Sequence, residues 1–240
     1  MRSIWLNENS CLSPLSGKTG GSFCLHTPSG KRYVLRTQTP ELARKGVNRQ
    51  REAKILRNLT ALSPQVPKVR YETPEFLLLD WCQGSPIDTW NEQRLGQLAC
   101  FLRRLHRLPI NDLPHLDLNE YRMQFIAQLA SSQQAQWLAQ KPVIPSNAEL
   151  AITHLDLNSQ NILWHKNALT VIDWEYAFVA DPAFDIAQFL LTNHLSRPHK
   201  QFFLQAYLLG QSLPSQTHFH QRLQDYLSVA DYLNRLWAAI

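Results

Sequence analysis

A change in the spacing of apolar residues near Gly84 divides this 240-residue chain into two regions. Before it, short runs of apolar and β-forming residues at 22–27, 31–36 and 75–81 alternate with turn residues, which predicts strands. After it, leucines recur at the three- and four-residue steps of a buried helix face: Leu95, Leu98, Leu102 and Leu105. The pattern predicts an α+β fold of two lobes, a small β-rich N-terminal lobe and a larger, mainly helical C-terminal lobe.

We place the N-terminal lobe at residues 1–80, a linker at 81–90 and the C-terminal lobe at 91–240. Within the second lobe we expect a helix over 119–140 and further helices from about residue 183. Between these helices, three apolar runs predict strands around a loop: ELAITHLDL, NILWH and ALTVIDW.

Composition restricts the class of protein. Charged residues make up 18% of the chain and apolar residues 44%, which is typical of a globular protein. No stretch of 18 apolar residues occurs, and the N-terminus lacks the apolar core of a signal peptide. The scattered cysteines show no metal-binding spacing and indicate a reducing compartment: Cys11, Cys24, Cys82 and Cys100. We therefore expect a cytoplasmic protein that is not inserted in a membrane.

The net charge of +5 and the pI near 9.1 suit an anionic ligand such as ATP, or a nucleic acid, and do not distinguish them. The densest basic run, 44–57, also carries apolar residues at helical spacing. We interpret it as one amphipathic helix with its arginines and lysines mostly facing solvent. Because no aromatic residues interleave with the charges, we do not expect nucleic-acid binding. The oligomeric state stays open.

The segment LSGKTGGSF, 15–23, contains the GKT of a phosphate-binding P-loop. That motif also needs a glycine at position 12, where this chain has Leu12, and a helix directly after it. The runs that follow predict a β-hairpin instead. Its three glycines, Gly17, Gly20 and Gly21, fit either a flap that approaches a ligand closely or an ordinary hairpin loop.

The clearest chemical signal is H-x-D-x-x-x-x-N, formed by His154, Asp156 and Asn161, with Asp173 twelve residues later at the end of an apolar run. Phosphoryl transfer needs a base near the attacking hydroxyl and oxygen ligands for Mg²⁺. Asp156 suits the first task, and Asn161 and Asp173 suit the second. His154 is a candidate catalytic residue beside Asp156, although a histidine at this position more often orients the loop by hydrogen bonds.

The N-terminal lobe agrees with this interpretation. A kinase places a glycine-rich loop between its first two strands, a basic residue on the third and a glutamate on the next helix. Here Arg36 closes the run YVLR, and Glu52 lies in the predicted basic helix. An arginine fork suits both a phosphate and Glu52. We therefore interpret Gly17, Gly20 and Gly21 as a flap over ATP.

The motif order, with HLDLNSQN, VIDWEYA and DPAFDIAQF, resembles the aminoglycoside phosphotransferase and choline kinase superfamily, especially bacterial thiamine kinase and choline kinase-like proteins. The resemblance covers nearly the whole chain. It implies a protein-kinase-like fold and ATP-dependent phosphorylation of a hydroxyl on a small molecule. The sequence departs from protein kinases in having DWE in place of DFG, and the chain is short for the superfamily, so substrate-capping helices are expected to be trimmed.

The resemblance also implies roles for individual residues. Asp156 would be the base, Asn161 and Asp173 the Mg²⁺ ligands, and Asp185 a structural partner of the catalytic loop. Residues 79–83 would form the hinge that contacts adenine, including Leu79, Asp80 and Trp81.

The acceptor pocket is open to two interpretations. Aromatic and acidic residues near Asp173 would suit a quaternary ammonium or thiazolium cation, or they would form core between the lobes. They are Trp174, Glu175, Tyr176 and Phe178, with Trp164 and Asp181.

Three other classes of protein are alternatives to a small-molecule kinase. Arg36 and the short length also fit a catalytically silent, kinase-shaped binding module, and the positive charge fits a nucleic-acid-binding protein. A protein kinase is disfavoured because no A-P-E segment follows Asp173.

Overall fold

The computed structural model describes residues 10–15, 20–146 and 149–240. Its N-terminal part is a five-stranded antiparallel sheet with strand order β1-β2-β3-β5-β4. The strands are β1 (Cys11–Pro14), β2 (Ser22–His26), β3 (Arg32–Thr37), β4 (Val69–Glu72) and β5 (Phe76–Asp80). The predicted hairpin is confirmed, with β2 and β3 paired from Ser22–Arg36 to His26–Arg32.

Two helices follow β3: α1 (Pro40–Arg44) and α2 (Arg49–Asn58). The prediction of one basic helix over 44–57 is therefore wrong. Gly46 has a φ of 81°, which interrupts the helical path, and Asn48 then caps α2 by accepting a hydrogen bond from the Arg51 amide at 2.9 Å. The arginines also do not all face solvent, because Arg49 is 1% exposed.

The chain crosses between lobes through a close contact at Gly84. After Gly84 a short strand, β6 (Ser85–Pro86), pairs with β8 of the C-terminal lobe. A Cβ atom on Gly84 would lie 3.0 Å from both Leu163 Cβ and the Trp164 carbonyl oxygen, and its φ is 133°. Only glycine fits this crossing without displacing its neighbours.

In the part of the C-terminal lobe that the structure describes, six helices surround the core. They are α3 (Glu92–Leu105), α4 (Leu118–Ile126), α5 (Ser131–Ala139), α6 (Pro182–Thr192), α7 (Arg197–Leu208) and α8 (Leu213–Ala238). The predicted leucine stripe is the buried face of α3. The expected single helix over 119–140 is two helices, because the chain leaves helical geometry at Ala130, which has a ψ of 141°. Among the described residues, no helix is long and apolar enough to cross a membrane.

Between α5 and α6, the described residues form four short strands that position the candidate site. They are β7 (Ala151–Thr153), β8 (Ile162–His165), β9 (Ala168–Val171) and β10 (Phe178–Ala180). β8 pairs with β9, while β10, which the sequence did not predict, pairs with β7. This pairing brings the loop after β7 and the segment after β9 to the same side of the lobe.

Candidate active site

The loop after β7 holds the carboxylate of Asp156 between two amides. Asn158 Nδ2 donates to Asp156 Oδ1 at 3.0 Å, and Asn161 Nδ2 donates to Oδ2 at 2.8 Å. Asn161 Nδ2 also donates to the Asp156 carbonyl at 2.9 Å, so the H-x-D-x-x-x-x-N spacing closes into a compact turn. Both carboxylate oxygens therefore have fixed directions.

Burial raises the pKa of Asp156 to about 7, and the nearby carboxylate of Asp173 adds to the rise. The hydrogen bonds from Asn158 and Asn161 act in the opposite direction. A pKa near neutrality is the range in which a carboxylate can both take up and release a proton efficiently.

His154 is completely buried and organises this loop. Its Nε2–H donates to the Ile172 carbonyl at 2.9 Å, and its Nδ1 accepts from the Asp156 amide at 3.2 Å. Burial lowers the pKa of the imidazole, which favours the neutral ring that this pattern requires. The structure thus corrects the grouping of His154 with the catalytic residues, because both ring nitrogens are bonded to backbone atoms.

Asp185, in the first turn of α6, lies beneath the same loop. Its carboxylate accepts from the His154 amide at 3.1 Å and the Leu155 amide at 2.7 Å, and it lies 3.2 Å from His106 Nε2. Leu155 has a φ of 64°, a left-handed conformation that costs free energy for a side chain of this size. The two bonds to Asp185 offset that cost, which is the placement expected for a structural partner of the loop.

The carboxylates of the segment after β9 are bound from the other lobe. Arg36 on β3 donates at 2.6 Å to each of three carboxylates, Glu52 on α2 and Asp173 and Glu175 of this segment. Burial alone would lower the pKa of Arg36, but the three carboxylates more than offset it and raise it. The predicted pair of Arg36 and Glu52 is present, and all the described hydrogen bonds of the Arg36 guanidinium are to carboxylates.

Two further arginines of α2 reach the same segment. Arg49 Nη1 lies 2.8 Å from Glu52 Oε2 and 2.9 Å from Glu175 Oε2. Arg51 Nη2 donates to the Glu175 carbonyl at 2.5 Å, and its guanidinium lies 3.9 Å from the centroid of the Phe178 ring. The basic run was predicted to face mostly solvent, and no local pattern reveals these contacts because Arg51 and Arg49 lie 124 and 126 residues from Glu175 in the sequence.

The expectation that Trp174 and Glu175 line an acceptor pocket is corrected by their burial. Trp174 is 0% exposed and packs on Phe101 and His154, so it belongs to the core. Glu175 is 2% exposed and bound to Arg36 and Arg49. Burial and the carboxylate of Asp173 raise the pKa of Glu175, and the two arginines oppose that rise.

The other aromatic and acidic residues expected near the acceptor pocket lie in different parts of the structure. Asp181 is buried at the N-terminus of α6, 3.1 Å from Arg222, and Trp164 faces Arg94 near the crossing between lobes. Tyr176 stays near Asp156 and Glu175, beside Trp237 of α8 and Tyr121 of α4. Neither Tyr121 nor Trp237 was predicted to lie near the site, because both lie on helices distant in sequence from the motif.

The residues expected at the hinge differ in the groups that they could offer a nucleotide. Leu79 is buried in the sheet, where it pairs with Val34, so its side chain belongs to the core. Asp80 forms a two-bond ion pair with Arg70, at 2.6 and 2.8 Å. Trp81 lies beneath the guanidinium of Arg32, 4.5 Å from the ring centroid. Nucleotide contacts by Leu79 would therefore come from its backbone.

The glycine-rich turn is described only in part, because Gly17 lies outside the described residues. Gly20 and Gly21 have φ values of 73° and 71°. A Cβ on Gly21 would lie 2.8 Å from Leu42 Cδ1 and 2.9 Å from Thr37 Oγ1, so this position requires glycine. The turn is followed by β2, as the rejection of a P-loop requires.

The residues expected to bind Mg²⁺ have ligand atoms left for a cation. Asp173 uses Oδ1 for Arg36, and a third of its side chain is exposed. Asn161 directs its amide nitrogen to Asp156. Within the described residues, neither Asn161 Oδ1 nor Asp173 Oδ2 receives a hydrogen bond, and no group of three His, Cys, Asp or Glu could hold a metal by itself. One amide and one carboxylate fit Mg²⁺, which takes its remaining ligands from phosphates and water.

Solved structures share this fold. The choline kinase LicA from Streptococcus pneumoniae superposes with a TM-score of 0.75 at 18% identity, over 95% of this chain and 84% of that one. An aminoglycoside-3'-phosphotransferase of type VIII gives a TM-score of 0.63 at 20% identity, over 90% and 93% of the two chains. The predicted α+β, bilobal kinase-like fold is confirmed.

Two sequence relatives cover different shares of the chain. The thiamine kinase of Escherichia coli K12 is 27% identical over 195 residues, 78% of this chain and 67% of that protein. Protein LicA of Haemophilus influenzae is 34% identical over 90 residues, and the match spans about a third of its length, 34%. A sequence profile described as "Phosphotransferase enzyme family" (APH) matches residues 12–224. The chain therefore belongs to this phosphotransferase family, as its motifs indicated.

Proposed function

We propose that the protein is an ATP- and Mg²⁺-dependent phosphotransferase that phosphorylates a hydroxyl of a small cationic metabolite. A thiamine-like alcohol is the first candidate, and choline, ethanolamine or an aminoglycoside-type acceptor is the alternative. The observation that carries the proposal is the convergence of Asp156, Asn161 and Asp173, from two segments, with the Arg36–Glu52 pair beside them.

In this reaction Asp156 takes the proton of the acceptor hydroxyl. The acceptor oxygen forms a bond to the γ-phosphorus while the bond from that phosphorus to the leaving oxygen of ADP breaks. The amides of Asn158 and Asn161 keep the carboxylate of Asp156 directed at the acceptor. Positioning of this kind supplies much of the catalysis in phosphoryl transfer.

Asn161 and Asp173 would hold Mg²⁺, which when bound neutralises phosphate charge. Arg36 would contact a phosphate by exchanging its bond to Asp173. The exchange keeps the guanidinium paired with Glu52 and Glu175, so no buried charge is left alone.

The preference for a cationic acceptor rests on the surroundings of Asp156. Burial raises the pKa of both Tyr121 and Tyr176, and the charge of Asp156 adds to the rise, so it is felt at both phenols. Aromatic rings with an acidic group attract cations. The relatives support the same class: thiamine and choline, in the names of a thiamine kinase and a choline kinase, are both cationic alcohols. A related LicA structure contains AMP, which supports an adenine nucleotide.

The proposal is tested by ADP release from the purified protein with Mg²⁺ and ATP. The acceptor panel contains thiamine, choline, ethanolamine, amino sugars and simple sugars. We expect turnover with one cationic acceptor, loss of turnover in Asp156→Ala and normal turnover in Asp225→Ala, which changes an exposed carboxylate of α8. Turnover that survives in Asp156→Ala would contradict the proposal.

Tyr176→Ala sharpens the choice of acceptor. We expect it to raise the KM for the cationic acceptor more than the KM for ATP, because the ring is placed near Asp156. Equal changes in both constants would contradict a cation pocket at Tyr176.

A second candidate is a catalytically silent nucleotide-binding module. It is favoured by Arg36, whose described bonds are all to carboxylates. ATP binding measured by calorimetry, without turnover on any acceptor of the panel, would support it.

A further inference from the structure

Four buried side chains form a closed ring of alternating charge between the lobes. Arg36 contacts Glu52 at 2.6 Å, Glu52 contacts Arg49 at 2.8 Å, Arg49 contacts Glu175 at 2.9 Å, and Glu175 returns to Arg36 at 2.6 Å. We call these residues the charge ring. Their side chains are between 0 and 5% exposed. Two guanidinium groups and two carboxylates make the ring neutral as a unit.

Asp173 is attached to this ring as a fifth, surplus charge. It contacts only Arg36 among the ring's arginines, at 2.6 Å, and its side chain is 33% exposed. Because Glu52 and Glu175 already balance the two arginines, the departure of Asp173 from Arg36 leaves a neutral ring. Without such balance, a buried arginine would hold Asp173 as its counter-ion, since a buried unpaired charge is costly.

We propose that Arg49 and Glu175 are a matched pair of positioning residues that keep the charge ring neutral and thereby leave Asp173 available to a divalent cation. This inference rests on the proposed function, because it assigns the cation to Asp173. Glu175, although buried, then acts by balancing the charge of Arg36. Arg49 supplies the second positive charge, which the pair of Arg36 and Glu52 lacks.

The prediction is clearest for the removal of one charge and then of its partner. Glu175→Gln leaves the two arginines of the charge ring with one ring carboxylate, Glu52. Asp173 then becomes their second counter-ion, and the cation must compete with the arginines for Asp173. Arg49→Met together with Glu175→Gln removes one positive and one negative charge, so Asp173 is again the surplus carboxylate. Replacing both members of a buried ion pair is tolerated far better than replacing one.

The experiment measures Mn²⁺ binding by electron paramagnetic resonance, in the presence of a non-hydrolysable ATP analogue. We expect Glu175→Gln to bind Mn²⁺ about 10- to 100-fold more weakly, the range for partners of metal ligands. The double variant is expected to recover to within about threefold of the unsubstituted protein. The control is Arg57→Met, which removes another arginine of α2 that pairs with Glu72 near the surface, and it should bind normally.

The outcomes separate this inference from the proposed function. Normal Mn²⁺ affinity in Glu175→Gln, or a double variant that binds no better than Glu175→Gln, would overturn the matched pair while leaving the kinase proposal intact. A double variant that fails to fold would also overturn it, because a balanced pair should be removable together. No nucleotide-dependent Mn²⁺ binding by the unsubstituted protein would overturn both.

Discussion

The two segments that supply the candidate catalytic groups are held in opposite ways. The loop of residues 154–161 is fixed from within its own lobe, by Asp185 and by its own asparagines. The carboxylates of Asp173 and Glu175 are bound from the other lobe, by Arg36 and Arg49. The position of Asp156 therefore depends on one lobe, whereas the carboxylate of Asp173, one of the two expected metal ligands, is also bound from the other lobe.

The largest expected effect concerns the self-contained loop. Asp156→Asn should lower kcat by about 10²- to 10⁴-fold, because the amide cannot accept the proton of the acceptor. Steady-state ADP release with the identified acceptor measures it, and Asp225→Asn serves as the exposed control on α8. A kcat within tenfold of the unsubstituted protein would show that another group takes the proton.

The next effect tests whether that loop is supported from below. Asp185→Ala leaves the amides of His154 and Leu155 without their acceptor, which should lower the free energy of unfolding by about 2 to 4 kcal/mol. Urea denaturation followed by tryptophan fluorescence measures the change. Asp185→Asn keeps one acceptor oxygen and should lose less. Equal stability of Asp185→Ala and the unsubstituted protein would show that the loop of residues 154–161 does not depend on Asp185.

Arg51→Met tests the segment held across the lobes. It removes a charged hydrogen bond to the Glu175 carbonyl and the contact with Phe178, so amide hydrogen exchange over residues 173–178 should accelerate about tenfold. Exchange over residues 154–161 should stay unchanged, as should both segments in Arg57→Met. Equal acceleration in the two segments would mean that they are one unit.

The smallest effect concerns a single amide of the loop. Asn158→Ala removes the hydrogen bond to Asp156 Oδ1 but leaves that from Asn161, so kcat should fall by about tenfold. Gln160→Ala, at an exposed position of the same turn, is the control. A loss as large as that of Asp156→Asn would show that the two amides do not act independently.

Local patterns predicted much of the fold. The hairpin of β2 and β3 and the buried face of α3 could be predicted because the spacing of apolar residues over a short stretch indicates the type of element. The short strand β10 was not predicted because a run of three residues is too short to show the alternation of apolar and polar residues. The start of α2 was misplaced because the basic run continues through Gly46, where only the backbone conformation reveals the break.

In the candidate site, too, contacts between residues close in sequence were predictable and contacts between distant residues were not. Asp156 and Asn161 were identified together because their interaction spans five residues and leaves a fixed spacing. The partners of Glu175 lie 126 and 139 residues away, so its burial in an ion-pair network could not be inferred from the residues beside it. The residues of the run WEY alone therefore left pocket and core open as interpretations, and the burial of Trp174 places that side chain in the core.

The buried ring of His154 sets a distance as well as an orientation. One edge bonds the backbone at Ile172, next to Asp173, and the opposite edge bonds the backbone of Asp156. A flat, rigid ring with a donor on one edge and an acceptor on the other therefore acts as a spacer of constant width between the backbone beside Asp173 and the backbone of Asp156. A flexible amide such as glutamine offers the same two hydrogen-bonding functions but no constant width. The dimensions of one imidazole therefore help to set the distance between the backbone segments that carry Asp156 and Asp173.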